Sequence, residues 1–338
     1  MLPFSYERAE TLDDARKAVS DGGEQPPTSA AVQFIAGGTN MSDYMRLGVN
    51  RPAHLVDINP IPDSSLRTIA ITESEVRLGA LVRMSEVEDH PGINQRCPML
   101  AESLKLAASR QIRNMASLGG NILQRTRCEY FRETSWPCNK RDPGSGCAAM
   151  DGFNRQHAVL GTSDACIATY HGDFAQALIA LDASVEILGQ AGSRRMRFAE
   201  LHRLPGDRPE IETVLRPDEI IVAIAVSLPA WAARSGYLKI RDRQSYAFSL
   251  ASAAVALDLS EETVRDVRIA LGGVATVPWR ATEAEEALKG KALTEETATK
   301  AAEIAFSGAK PRQHNAFKVE LGKQTLVRAL MDVGQMRI

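Results

Sequence analysis

Four cysteines lie close together in this sequence, Cys128, Cys138, Cys147 and Cys166, separated by nine, eight and eighteen residues within a chain of 338. Thiols gathered in this way suggest a metal more than a disulfide framework, which a chain of this length does not need as a staple. Structural zinc usually sits on close pairs of cysteines two to four residues apart, and no such pair is present. A cubane iron–sulfur cluster tolerates ligands drawn from a long loop, because its corners point in four directions. Residue types alone leave three readings open: an iron–sulfur cluster, zinc, and free or disulfide-bonded thiols. Arg125, Arg127, Lys140 and Arg141 flank the first two cysteines and would offset the negative charge of a four-thiolate cluster. Pro137, Pro143, Gly144 and Gly146 would shape an irregular loop around it. Cys97, beside Pro98, lies outside the group and reads as a partly buried free thiol.

Two glycine-rich stretches form the second candidate group. Ala36-Gly37-Gly38-Thr39-Asn40 follows an apolar tetrad, and Ser117-Leu118-Gly119-Gly120-Asn121-Ile122 opens the segment that carries the cysteines. Glycine takes φ values closed to other residues and lets a ligand approach the main chain; amides at a following helix start would face an anion. A double glycine is a weak motif, and a tight turn with nothing bound explains each stretch equally well. No Gly-x-Gly-x-x-Gly, Walker loop, His-Glu-x-x-His or Gly-x-Ser-x-Gly is present. The six histidines are scattered, and His171, next to Tyr170, reads as a surface or hydrogen-bonded side chain rather than a catalytic one.

The elements that must position these residues follow from the hydrophobic pattern. A helix starts at Thr11-Leu12-Asp13-Asp14, a polar loop covers 21–30, and Val32–Ile35 reads as a buried strand. The glycine turn, a short helix ending at Gly48 and the strand Leu55–Ile58 complete a compact βαβ unit. A hairpin over Leu66–Leu81 turns at Glu73-Ser74, and Met99–Ala108 has helical spacing. Beyond the cysteines, Phe174–Leu181 reads as a buried helix, Ser184–Leu188 as a strand, and the basic stretch Arg194–Leu204 as a surface loop or short helix. Leu215-Arg216-Pro217-Asp218-Glu219-Ile220 turns into the strand Ile221–Val226, and Pro229–Ser235 reads as a linker. Three antiparallel strands (Gly236–Ile240, Ser249–Leu259, Val264–Leu271) and three helices (Arg280–Lys289, Thr294–Phe306, Phe317–Met331) then make a separate α+β domain.

Composition bounds the function. Lys and Arg (40) nearly balance Asp and Glu (42), so there is no electrostatic footprint for nucleic acid or an anionic membrane. The longest apolar run, Ile220–Ala233, is interrupted by Pro229 and too short to span a bilayer, so no membrane insertion is expected. Met1–Glu7 has no basic segment leading into an apolar run, which predicts no signal peptide.

Taken together, Ala36–Asn40, Ile112-Arg113-Asn114, Ser117–Asn121, Ser163-Asp164 and Leu215-x-Pro217-Asp218-Glu219-Ile220 resemble the FAD-binding medium subunit of the xanthine dehydrogenase (molybdenum hydroxylase) family over essentially the whole chain. The resemblance implies an α+β fold: a two-subdomain FAD-binding domain (PCMH/vanillyl-alcohol-oxidase-like) over 1–228, followed by a CO dehydrogenase flavoprotein-like domain over 236–338 with a three-stranded antiparallel sheet plus helices. Its subdomains would cover about 1–58 and about 59–228. In most of the family the Gly-Gly-Asn turn is soon followed by the Ser-Asp pair, whereas here about forty residues intervene. That insertion, over 123–162, resembles the cluster-bearing loop of the periplasmic aldehyde oxidoreductase flavoprotein subunit and of the 4-hydroxybenzoyl-CoA reductase β subunit, leaning to the first.

The resemblance therefore implies FAD and a 4Fe-4S cluster on Cys128, Cys138, Cys147 and Cys166. By position it implies that Ile35, Ala36, Gly37, Gly38, Thr39, Asn40, Met41 and Ser42 hold the FAD pyrophosphate, with Asn40 standing where many relatives have Asp. Ser117, Leu118, Gly119, Gly120 and Asn121 would form the second phosphate-side turn, and Asp164 would bind ribityl or ribose hydroxyls. Leu215 would pack on the flavin side, Lys239 would lie near the isoalloxazine or its partner residues, and Ser109 is a further candidate. The implied activity is that of an electron-transfer subunit with no catalytic residue of its own. Its implied partners are a small 2Fe-2S subunit and a large molybdopterin subunit of an aldehyde oxidoreductase. The implied location is the periplasm, reached folded with a Tat-tagged partner, with the cytoplasm as the alternative. The competing function is a stand-alone FAD-dependent oxidoreductase with a structural zinc loop.

Overall fold

A computed structural model of the chain describes residues 1–19 and 26–337. The polar loop expected over 21–30 lies outside the described residues as far as Gln25. The N-terminal unit runs β1 (Ser5–Arg8), α1 (Leu12–Val19), β2 (Val32–Ile35), α2 (Met41–Leu47), β3 (His54–Asp57) and forms a parallel sheet in the order β1-β3-β2. The βαβ expectation holds for β2-α2-β3, and Gly48, at φ 71°, ends α2 in the left-handed conformation that glycine adopts without strain. Strand β1 carries no sequence signal, because all four of its residues are exposed and no alternation marks a buried face.

The second unit holds β4 (Ile69–Ile71), β5 (Glu75–Gly79), α3 (Met84–Asp89), α4 (Pro91–Arg96), α5 (Pro98–Lys105), α6 (Arg110–Met115), α7 (Leu118–Ile122) and α8 (Glu129–Arg132). After the cysteine loop come α9 (Phe174–Ala180), β6 (Ser184–Gly189), β7 (Gly192–Arg197) and β8 (Ile220–Ser227). The sheet order is β4-β5-β8-β6-β7, with all neighbours antiparallel. Strand β8 is central, which is why it reads as one apolar run: Ile220, Ile221, Ala223, Ile224, Ala225 and Val226 are all buried. Among the described residues no helix is long and apolar enough to cross a membrane.

Two expectations here need correction. The basic stretch from Arg194 is not a loop or short helix at its start; residues 194–197 belong to β7, an exposed edge strand paired to β6. Charge on both faces hides the strand period, and it also blunts an open sheet edge. The Pro229–Ser235 linker contains a single 3-10 turn, Ala230–Ala233.

The C-terminal unit has β9 (Ser235–Ile240), β10 (Ala251–Ser260), β11 (Thr263–Gly272), β12 (Trp279–Arg280), α10 (Thr282–Leu288), α11 (Glu295–Ala305) and α12 (Phe317–Gly334). Its antiparallel sheet has four strands in the order β12-β11-β10-β9, one more than expected, because the two-residue β12 is too short to show a period. Helix α9 has all seven residues buried, apolar but for Gln176, as befits a helix covered on every side by the second and third units. Val159 and Leu160, from the end of the cysteine loop, sit in the C-terminal core beside Val255, Ile269 and Leu330. The inserted loop is thus rooted in the third unit as well as the second.

Candidate functional site

The two glycine stretches lie side by side. A Cβ on Gly37 would fall 2.0 Å from the Met115 carbonyl oxygen and 3.0 Å from the Ala116 Cα, so the turn 36–38 packs directly on the backbone entering Ser117. Of the pair only Gly38 has a positive φ, 72°. Gly37 is therefore required by a close approach and Gly38 by its backbone conformation. The second stretch is not a turn but the short helix α7: Ser117 caps it, its Oγ accepting from the Gly120 amide at 3.3 Å. The Leu118 and Gly119 amides donate to Val82 and Ala80 carbonyls, which fixes α7 to the end of β5.

Asn40 joins the two stretches. Its Nδ2 donates to the Gly120 carbonyl at 3.3 Å, and its Oδ1 accepts from Arg127 Nη2 at 2.7 Å. An aspartate at position 40 could accept from Arg127 but has no hydrogen to give Gly120, so the amide serves a bridge that the acid cannot make. Arg127 also donates to Asp43 at 2.8 Å, and Arg132 donates to both oxygens of the same carboxylate at 2.5 and 3.0 Å. The arm bearing Cys128 is thereby tied to α2.

Burial pushes the Asp43 carboxyl up, but Arg132 and Arg127 outweigh it and hold the group below the usual carboxylate range. A carboxylate depressed in the folded state stabilises the fold above its unfolded pKa of about 3.9, and that contribution is lost as pH falls through the lower folded value. The pair is a third exposed on the Asp43 side. We therefore expect Asp43→Asn to cost about 1 kcal/mol at neutral pH, with the difference from wild type shrinking to nothing under acid conditions. Urea unfolding of both proteins from about pH 7 to about pH 3 measures it; a pH-independent difference would show that the charge is not what holds the arm.

The cysteines come together in one cluster of buried residues. Cys128, Cys138 and Cys166 are buried there with Phe131, Tyr44, Ala149 and Ile167, and the half-buried Cys147 packs against them. Cys138 and Cys147 face each other across an antiparallel bridge. The Asn139 amide donates to the Gly146 carbonyl at 2.6 Å, and the Gly146 amide returns to Asn139 Oδ1 at 2.8 Å. Burial pushes the Cys166 thiol up to about 11 and raises those of Cys128 and Cys147 as well. Such thiols are protonated and inert at neutral pH unless a cation replaces the proton, which argues against a reactive-thiol centre. Among the described residues no group of three or more His, Cys, Asp or Glu side chains is placed to hold a metal ion.

The flanking cations are committed elsewhere. Arg125 and Lys140 both bind Glu212, the lysine at 3.1 Å. Arg141 donates to the Tyr130, Phe131, Thr134 and Trp136 carbonyls and so staples the first half of the loop. Their role is to shape the loop; of these cations Lys140 lies near enough to act on the Cys166 thiol.

The remaining expected residues are placed as follows. Ile35, Ala36, Thr39 and Met41 line the first turn half-buried, and Ser42 is exposed with its amide donating to the Gly38 carbonyl. Asn121 is half-buried with a shielded, unpartnered Oδ1. Ser109 caps α6, accepting from the Ile112 amide at 3.4 Å. Leu215 packs on the main core. Asp164 is exposed, beside Ser163, whose Oγ accepts from the Ala165 and Cys166 amides. The Lys239 ammonium is buried against Asp173 at 2.8 Å and the Leu106 carbonyl at 2.9 Å. Cys97 is fully rather than partly buried, its thiol pushed up to about 12 by burial. His171 is buried too, contrary to expectation, with an unpartnered Nδ1. Sequence reasoning missed Asp43 and Lys318, which reach the loop only through tertiary contacts, and His157 within the loop itself.

Comparison with known proteins shows the family. Residues 2–231 match the family described as the FAD binding domain in molybdopterin dehydrogenase, and residues 236–333 match the CO dehydrogenase flavoprotein C-terminal domain. The chain is 42% identical over 334 residues to the aldehyde oxidoreductase FAD-binding subunit PaoB of Escherichia coli K12, covering 98% of each chain. This protein belongs to the FAD-binding subunits of the molybdenum hydroxylase family. As a member of that family it is a flavoprotein component of an oxidoreductase. It is also 28% identical to the carbon monoxide dehydrogenase medium chain of Hydrogenophaga pseudoflava, covering 98% of this chain and 97% of that one. The solved carbon monoxide dehydrogenase of the same organism superposes with a TM-score of 0.73 over 98% of each chain. CO dehydrogenase from Oligotropha carboxidovorans, with a TM-score of 0.75 over 99% of each chain at 23% identity, shares the fold. These relatives are medium chains or FAD-binding subunits of multi-subunit enzymes.

Proposed function

We propose that this family member is the electron-transfer subunit of a heterotrimeric molybdenum-containing aldehyde oxidoreductase, carrying both FAD and a 4Fe-4S cluster. The observation that carries the reading is Asn40, at which the first glycine turn, the helix α7 and the arm bearing Cys128 all meet. A cofactor cradled by the turns and a cluster held by the cysteines would be neighbours, joined by covalent chain at both ends of the loop.

The residues suit both groups. For FAD, Ile35–Ser42 and Ser117–Asn121 offer two abutting stretches of backbone with few side chains, and the unpartnered Asn121 Oδ1 is an acceptor waiting for a donor. Asp164 is free to meet sugar hydroxyls, and Leu215 offers an apolar wall. Lys239 would act through its neighbours, since Asp173 and Leu106 already hold its ammonium. For the metal, structural zinc usually sits on pairs of cysteines two to four residues apart, and the sequence has no such pair. A cubane asks each thiolate to reach a different corner, which the dispersed ligands Cys128, Cys138, Cys147 and Cys166 suit better. FAD supplies a centre that collects single electrons and releases them singly or in pairs. The chain's own work is to position both groups, keep water from the cluster with Phe131, Tyr44 and Ile167, and hold the loop by its arginine ties.

Electrons would enter from a small 2Fe-2S partner, after a large molybdopterin partner has oxidised the aldehyde, and leave to an external acceptor. A periplasmic location, with export in company with a Tat-tagged partner, follows from the same reading; the cytoplasm is the alternative. Iron and acid-labile sulfide of about four per copy of this chain beyond those of the 2Fe-2S partner, together with one FAD, are expected in the purified complex. Zinc without sulfide would favour the stand-alone flavin oxidoreductase instead.

A further inference from the structure

One buried lysine near the cysteine loop has no carboxylate partner among the described residues. Lys318, in the first turn of α12, is fully buried, and its Nζ donates to the carbonyls of Gln156 at 3.1 Å and His157 at 3.0 Å. The other buried lysines each have a carboxylate: Lys239 has Asp173 at 2.8 Å and Lys140 has Glu212 at 3.1 Å. Among the described residues no carboxylate pairs with Lys318, and burial lowers its pKa to about 7, with repulsion from Arg155 adding to the effect. An ammonium taken out of water without a partner is costly, so its surroundings need a negative charge.

The backbone that Lys318 grips leads straight to the cysteines. His157 Nε2 lies 3.1 Å from Cys128 Sγ, the ring is buried, and its Nδ1 has no partner. Asn315, also from the start of the last helix, donates to the His157 and Ala158 carbonyls at 3.3 and 3.1 Å. The His314 amide donates to Asn154 Oδ1 at 3.0 Å. The C-terminal domain thus holds 154–158 as a clamp and with it the orientation of the imidazole. A cysteine that ligates iron has lost its proton, so the hydrogen in the His157–Cys128 contact must then sit on Nε2, and the ring donates to the sulfur.

We propose that Lys318 and His157 are positioning residues through which the C-terminal domain sets the reduction potential of the cluster. The ammonium supplies positive charge behind His157, and the imidazole donates a hydrogen bond to the Cys128 thiolate. Each favours the more negative, reduced form, so each raises the potential. The inference rests on the 4Fe-4S reading above and adds to it a dependence on a domain that contributes no ligand.

The test uses the holo complex with four chains compared at one pH: wild type, Lys318→Met, Lys318→Arg and His157→Phe. Iron and sulfide are counted first, and the cluster is then followed by EPR during a redox titration. The expected result is full cluster content in all four, a midpoint shifted to more negative potential in Lys318→Met and His157→Phe, and a midpoint near wild type in Lys318→Arg. Loaded clusters with unshifted midpoints in both Met and Phe variants would overturn the inference. A shift in Lys318→Arg as large as in Lys318→Met would overturn the role of charge. If Lys318→Met does not fold, His157→Phe decides: a loaded cluster with an unshifted midpoint in that variant would overturn the inference. A wild-type complex with no iron or sulfide beyond that of its 2Fe-2S partner would overturn the cluster reading itself, a failure distinct from a loaded but unshifted cluster.

Discussion

Replacing Cys138 by serine is expected to abolish the EPR signal of the reduced cluster and to lower iron and sulfide per chain, while flavin absorbance stays. Cys138 sits at the bridge to Cys147, in the buried group with Cys128 and Cys166, and its amide donates to Ser145 Oγ at 3.0 Å. Serine keeps the backbone and nearly the size of the side chain, so the loop ties through Arg141, Asn139 and Asn40 survive. It removes the soft thiolate that iron prefers. The turns proposed to hold the flavin are linked to this arm through Asn40 and Arg127 rather than through Cys138. An unchanged signal in Cys138→Ser would refute the ligand set, and a simultaneous loss of flavin would show that the loop and the turns fold as one unit.

Gly37→Ala is expected to cost the fold about 3 kcal/mol and to release FAD. The new methyl would sit 2.0 Å from the Met115 oxygen and 2.8 Å from its carbonyl carbon, and backbone cannot rotate away as a side chain can. The turn 36–38 must therefore lift from the entry to α7, which separates the two stretches assigned to the phosphates. Gly308→Ala is the control, because a Cβ there meets nothing within 4 Å and needs no unusual backbone angle. Thermal melts and the flavin-to-protein absorbance ratio measure the effect; a Gly37→Ala protein matching the control on both would show that the close approach does not matter.

Much of the fold is legible in the sequence where one physical signal dominates. The run in β8 and the apolar helix α9 announce their burial, and the helices α10 to α12 fall where amphipathic spacing, Gly290 and the Thr294 cap put them. Reading fails where exposure erases the period, as in β1 and β7, or where an element is too short to have one, as in α7 and β12. His171 shows a different limit. A histidine beside a tyrosine looks solvated in sequence, yet Phe248 from a distant loop closes over it, with ring centroids 4.8 Å apart.

The sequence by itself determined the chemistry on offer: four thiols in one insertion, two glycine stretches, and a family resemblance that covers the whole chain. These are properties of residue type and local order, which survive without a fold. Only the tertiary structure decided how the charges around the insertion are used. Arg125, Arg127, Lys140 and Arg141 stand next to the cysteines in sequence, yet they are held by Glu212, Asp43, Asn40 and loop carbonyls. The buried lysine without a carboxylate partner among the described residues is Lys318, 152 residues beyond Cys166. Electrostatics depends on distance and burial in space rather than on spacing along the chain, so a residue that would answer the charge of the proposed cluster is one that no motif could have pointed to.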